Sequence, residues 1–187
     1  MDQQTRKALL VMDLQTSILA RLGDSSKFVA GVAQAIESAR KQNLQIIYVV
    51  VGFRAGAPEI SNNNKAFTAM GGRERWTEDF AGQWMRIHPD VAPRDGDIII
   101  TKRRVSAFTG SDLEVVLRGL EIQHLVLTGV STSGVVLSTL REAADKDFQI
   151  TVISDCCADG DEEVHRVLTT KIFPRQAEVM TLKEWAI

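Results

Sequence analysis

Six short apolar runs, spaced along the chain by longer amphipathic stretches, set the fold class. Residues 7–12, 45–51, 97–101, 124–128, 149–154 and 177–181 read as strands buried on both faces. Between them, residues 26–41 place Phe28, Val29, Val32, Ile36 and Ala39 at helical spacing, with Ser25 or Ser26 available as a cap. Further helices are read at 111–118, 133–146 and 161–172. The last opens with Asp161, Glu162 and Glu163, whose charge complements the positive end of its dipole. Strands that alternate with helices predict an α/β three-layer sandwich: a six-stranded, mostly parallel sheet with helices on both faces.

A chain of 187 residues supports one such unit, and a single domain is expected over 1–187. With 22 basic and 24 acidic residues, the formal charge is −2. Lys102-Arg103-Arg104 is the one compact basic run, read as a strand end leading to solvent, so nucleic acid is not an expected partner. No long apolar segment follows the basic residues near the N-terminus, which argues against a secretory signal or a membrane span and for a cytoplasmic protein. Cys156 and Cys157 are neighbours, a separation that rarely meets disulfide geometry, and are expected to be free thiols. Neither lies at a zinc-site spacing from another ligand, and His165, inside a helical pattern, reads as a packed or capping residue.

Residues 52–95 break the pattern. They hold three of the four prolines, Trp76 and Trp84, the run Ser61-Asn62-Asn63-Asn64 and the pair Gly71-Gly72, with no sustained period. A connection this long in a compact domain is usually functional. It is expected to cover a site, anchored by Phe67, Trp76, Phe80 and Trp84.

In a parallel sheet, ligands collect beyond the carboxyl ends of the strands. Three ends carry chemistry: Asp13 and Gln15 after the first strand, Lys102 after the third, and the Ser/Thr/Gly turn 129–139, GVSTSGVVLST, after the fourth. A carboxylate and an ammonium delivered to one rim can pair and move a proton for a substrate held between them. Taken singly, Asp13 reads as a cap or turn residue and Lys102 as a solvated strand end.

The blocks ALLVMDLQ at 8–15, TKRRVSAFTGSDL at 101–113, LVLTGVSTSGVVLSTLREAAD at 125–145 and ISDCCAD at 153–159 resemble the isochorismatase-like (cysteine) hydrolases over nearly the whole chain. That resemblance implies a homo-oligomer, a dimer or larger, and an Asp, Lys and Cys acting together on a small-molecule substrate. Asp13 and Lys102 match the first two. The third position falls on Val135, which has no nucleophilic atom. The family's oxyanion hole carries over to the backbone amides of Ser131 and Val135, with a cis peptide between Val130 and Ser131. The pocket would take in Gln15, Arg54, Trp84, Thr132 and Gly134. Where the family's metal-binding branch has Asp and His, this chain reads Gly52-Phe53-Arg54, so no metal and no other cofactor is expected, and Arg54 could meet an anionic substrate group. Isochorismatases proper resemble this chain in lacking the cysteine. On that basis the chain is expected to hydrolyse a small, anionic metabolite without a thiol, using Asp13 as the proton carrier. That role needs a raised pKa, which Lys102 opposes. The alternative is a pseudoenzyme that keeps the pocket for binding or assembly.

Overall fold

The computed structural model describes residues 5–186. Six strands, β1 (Lys7–Met12), β2 (Gln45–Val51), β3 (Ile98–Lys102), β4 (His124–Val130), β5 (Gln149–Ala158) and β6 (Glu178–Met180), form one sheet in the order β3-β2-β1-β4-β5-β6. Every pair is parallel. The helices are α1 (Thr16–Leu19), α2 (Ser26–Lys41), α3 (Lys65–Thr68), α4 (Glu78–Trp84), α5 (Leu113–Gly119), α6 (Leu137–Asp145), α7 (Glu162–Val167) and α8 (Leu182–Trp185).

The strand period divides the core. Ala8, Leu10 and Met12 of β1 join Ile47, Val49, Leu125 and Leu127 on one face, under Leu113, Leu117 and Leu140 of α5 and α6. Leu9 and Val11 join Ile46, Tyr48 and Val126 on the other, under Val29, Val32 and Ile36 of α2. Because side chains alternate in direction along a strand, continuous apolar runs are what a sheet covered on both faces requires. The cap of α2 differs from expectation: neither serine side chain caps it, and Asp24 accepts from the amide and hydroxyl of Ser26 instead.

Strand β5 runs further than its apolar stretch. Leu127 pairs with Val152 and Gly129 with Cys157, so β5 carries three more residues than β4 between these pairs. The insertion reverses the side-chain parity, turning Cys157 to the α5/α6 face and Cys156 to the α2 face. Both thiols are free and buried.

The stretch 52–95 is built from short helices around its own apolar centre of Phe53, Phe67, Trp76 and Trp84. These aromatic pairs meet edge to face, Phe53 with Trp76 at 4.8 Å and Trp76 with Trp84 at 5.7 Å. The expected anchors are thus a small core in themselves, with Phe80 packed at its edge. This segment lacks a visible period because no helix in it exceeds 7 residues. No helix among the described residues is long and apolar enough to cross a membrane.

Candidate active site

The strand order reverses between β1 and β4, the point beyond whose carboxyl ends a parallel sheet gathers its ligands. Asp13 follows β1 directly, with a left-handed φ of 59°. Its amide donates to the Val49 carbonyl at 2.8 Å, so the backbone turns while still tied to β2. Lys102 ends β3, two strands away, in register with Val51. Its long side chain crosses the end of β2 and brings Nζ within 3.0 Å of Asp13 Oδ2.

The pair is enclosed: the side chains of Lys102 and Asp13 are 2% and 8% exposed. Neither single-residue reading survives, because Asp13 caps no helix and Lys102 turns inward. The basic run does not lead to solvent. Lys102 Nζ also donates to the carbonyls of Arg104 at 3.0 Å and Val105 at 2.9 Å, so the turn after β3 folds back over its ammonium. Three acceptors occupy its three N–H groups. Asp13 Oδ1 is buried without a partner. Burial raises the Asp13 carboxyl above its usual range, while the charge and hydrogen bond of Lys102 pull it back without reversing the shift.

Gln15 is fully buried and locks the frame. Its Nε2 donates to the carbonyls of Val51 at 3.0 Å and Trp84 at 2.7 Å, and its Oε1 accepts from Val51 N at 2.7 Å. One side chain therefore joins the ends of β1 and β2 to the last turn of α4.

Beyond β4, the chain passes through a cis peptide between Val130 and Ser131 into a wide helical turn, Thr132–Val136, that continues as α6. Gly129 makes this approach possible. Its φ is +146°, and a Cβ there would stand 2.4 Å from the Met12 carbonyl oxygen. The Ser131 carbonyl accepts from the amides of Gly134 and Val136, passing over that of Val135. Among the described residues, no protein acceptor takes the amide of Ser131. Two contacts from the segment after β5 brace the turn: Asp159 Oδ2 accepts from Ser133 N at 2.7 Å, and Thr132 Oγ1 lies 2.8 Å from His165 Nδ1 in α7. Burial lowers the His165 pKa, which favours its neutral ring.

The remaining expected pocket residues divide. Gly134 sits half-buried on the turn, where a Cβ would press to 2.5 Å from Ser131 Oγ. Thr132 is fully buried and bonded to α7. Trp84 lies in the apolar centre of the cover, its indole N–H enclosed without a partner. Arg54 is drawn away: it is ion-paired with Glu59, and its side chain is 68% exposed. Val135 is 2% exposed and packs into the core beneath α6. Sequence reasoning missed Glu59, which lies in the aperiodic stretch, and the bracing role of Asp159, although Asp159 closes the block ISDCCAD. Among the described residues, no three His, Cys, Asp or Glu side chains converge as a metal-ligand set.

The isochorismatase domain matches residues 7–184. The chain belongs to the isochorismatase family. It is 32% identical over 180 residues to the isochorismatase family protein YwoC of Bacillus subtilis (strain 168), spanning 96% of this chain and 92% of that one. It is 31% identical to the ureidoacrylate amidohydrolase RutB of Variovorax paradoxus (strain S110), over 79% of this chain and 67% of RutB. Among solved structures, an isochorismatase family protein from Burkholderia thailandensis superposes with a TM-score of 0.81 at 28% identity, covering 96% of this chain and 94% of that chain. The expected isochorismatase-like α/β fold is therefore the observed one, and the chain is an isochorismatase-family hydrolase.

Proposed function

We propose that this member hydrolyses a small metabolite by proton transfer at Asp13, with water as the nucleophile. The observation that carries this reading is the enclosed Asp13–Lys102 pair at the strand-order reversal, in which burial raises the Asp13 pKa and Lys102 lowers it without cancelling that rise. A raised Asp13 pKa supports its use as an acid. Asp13 gives its proton to the substrate, water adds to the carbon made electrophilic and returns a proton to Asp13, and the adduct then breaks its bond to the leaving oxygen or nitrogen, which takes up the proton of the adduct hydroxyl, so one water is consumed and the enzyme is restored. Lys102 holds the carboxyl in place, and Gln15 fixes the strand ends around it. The amides of Ser131 and Val135 supply donors for charge that develops on a substrate oxygen. These are backbone groups, so a valine at 135 leaves them in place.

A pocket kept for binding or assembly is the second reading, favoured by one observation: the Val135 side chain is buried in the core, where it presents no reactive atom. A homo-oligomer fits either reading, since Ile99 on edge strand β3 and Val115 on α5 are exposed apolar side chains, 54% and 74% accessible. Turnover of a panel of small amides and vinyl ethers by wild type, Asp13→Ala and Asp13→Asn tests the proposal. Loss of turnover in both variants supports acid–base work at Asp13. Turnover that persists in Asp13→Ala refutes it, and binding without turnover, undiminished in Asp13→Asn, favours the second reading.

A further inference from the structure

The turn after β3 supplies two of the three acceptors of Lys102, the carbonyls of Arg104 and Val105. Whatever holds that turn therefore sets where the ammonium stands. The next residue, Ser106, is buried, and its hydroxyl donates to Glu142 Oε2 at 2.6 Å while accepting from the amide of Phe108 at 3.3 Å. Thr109 Oγ1 donates to the same carboxylate oxygen at 3.1 Å, and the amide of Ala107 donates to Thr139 Oγ1 at 2.9 Å. Three bonds thus tie residues 106–109 to α6. On its other side the turn meets the cover, where Arg103 donates to the Gly52 carbonyl and Arg104 to that of Glu59.

Thr139 and Glu142 are three apart and share one face of α6. The same helix continues directly from the turn Thr132–Val136, so one element carries the amides of that turn at its start and the anchor of the Lys102 turn further along. Lys146 stands 3.9 Å from Glu142 but only 2.6 Å from Glu114, which leaves the Glu142 carboxylate facing chiefly the two hydroxyls. Bonds to a charged acceptor are stronger than neutral ones, so this is the firmest of the ties to α6. We propose that Glu142 is a positioning residue: acting through Ser106 and Thr109, it holds the turn after β3 closed on Lys102 and so sets the ammonium against Asp13. Its consequence for turnover rests on the hydrolase reading, while its consequence for Lys102 does not.

Glu142→Ala removes the acceptor at a helical position where alanine is favourable. Glu142→Gln keeps an acceptor oxygen and removes the charge that faces Lys146. Acetylation of the full chain by an N-hydroxysuccinimide ester, read by peptide mass spectrometry, reports the enclosure of Lys102 without substrate. Exposed Lys27 and Lys41 serve as references, and alkylation of buried Cys156 and Cys157 reports global opening. In Glu142→Ala, labelling of Lys102 is expected to rise about tenfold or more while the cysteines stay protected. With any amide or vinyl ether that wild type consumes, kcat should fall roughly ten- to hundredfold and KM change by less than about twofold. Glu142→Gln should restore most of both. Lys102 that stays as protected as in wild type overturns the proposal, and so does labelling that rises only in step with the cysteines, the mark of a purely structural role. A released Lys102 with unchanged turnover overturns it as well. Turnover that survives Asp13→Ala removes the hydrolase reading instead, and selective release of Lys102 still supports the hold of Glu142 on the turn. Where wild type consumes none of the compounds, the labelling alone decides.

Discussion

Replacing Lys102 with methionine keeps the length of the side chain, removes its charge and leaves Asp13 buried alone. Removing one partner of a buried pair costs about 3–5 kcal/mol. Protonation sets a ceiling on that loss. Holding neutral at pH 7 a carboxyl whose usual value is 3.8 costs about 4.4 kcal/mol, at 1.36 per pH unit. The Arg104 and Val105 carbonyls lose their donor as well, adding about 1–2 kcal/mol. The expected total is about 4–6 kcal/mol at pH 7. Its pH dependence identifies the source. With the lysine gone, burial acts on Asp13 without its main offset, the folded state holds the proton more tightly than the unfolded state, and stability falls as pH rises from about 4 toward the folded pKa, by about 1.4 kcal/mol per unit. Wild type has the same sign over a narrower window, because Lys102 offsets part of the burial term. Urea unfolding of wild type, Lys102→Met and the double variant Asp13→Asn/Lys102→Met between pH 4.5 and 8 measures all of this. The double variant should recover most of the loss, since a neutral amide replaces the stranded carboxyl. A single-variant loss below about 1 kcal/mol, or one that does not change with pH, refutes an enclosed and coupled pair.

Gly129→Ala places a methyl 2.4 Å from the Met12 carbonyl at a φ of +146°; a loss of about 3 kcal/mol or more in thermal unfolding is expected, because β1 and β4 cannot separate without breaking their ladder. Gln15→Leu removes three hydrogen bonds and strands two carbonyls and one amide; it should cost about 2–4 kcal/mol and speed proteolysis within 52–95 relative to the rest of the chain. Cys156 and Cys157, whose thiols burial raises, the first to about 12, should resist iodoacetamide in the folded protein and react only in denaturant, as mass spectrometry of intact protein can establish.

The strands were legible because a sheet covered on both faces leaves its period in every run; β1 and β2 fall at their expected bounds, and β3 is displaced by one residue. Where β5 exceeds its apolar stretch, the cause is an insertion that changes side-chain parity, and a polar Ser154-Asp155 pair reads as a strand end. There Ser154 and Asp155 bond instead to the Met180 carbonyl and the Leu182 amide, docking the C-terminal segment. In the site, the meeting of Asp13 with Lys102 was inferable because strand order brings carboxyl ends together. The engagement of Arg54 by Glu59 was not, because both lie in a stretch whose course is set by tertiary contacts rather than by period.

Stability alone gives a poor account of the Asp13–Lys102 pair. Filling the same space with two well-packed apolar side chains is often neutral or more stabilising than a buried ion pair, and Asp13 also leaves Oδ1 without a partner. The chain nevertheless encloses the pair, ties Lys102 with two carbonyls and fixes the neighbouring strand ends through Gln15. At the turn after β4 the arrangement is the converse: the side chain at 135 is inert, while Gly129, Asp159 and His165 hold a backbone in which, among the described residues, the Ser131 amide meets no protein acceptor. A fold maintained only for its own stability would need neither a buried carboxyl with an unpartnered oxygen nor a braced turn that leaves the Ser131 amide without a protein acceptor. Both fit the proposed proton transfer to a substrate beside a charge-stabilising backbone. The side chain of Val135 supplies no nucleophile, and the Asp13–Lys102 pair and the braced turn beside it are in place.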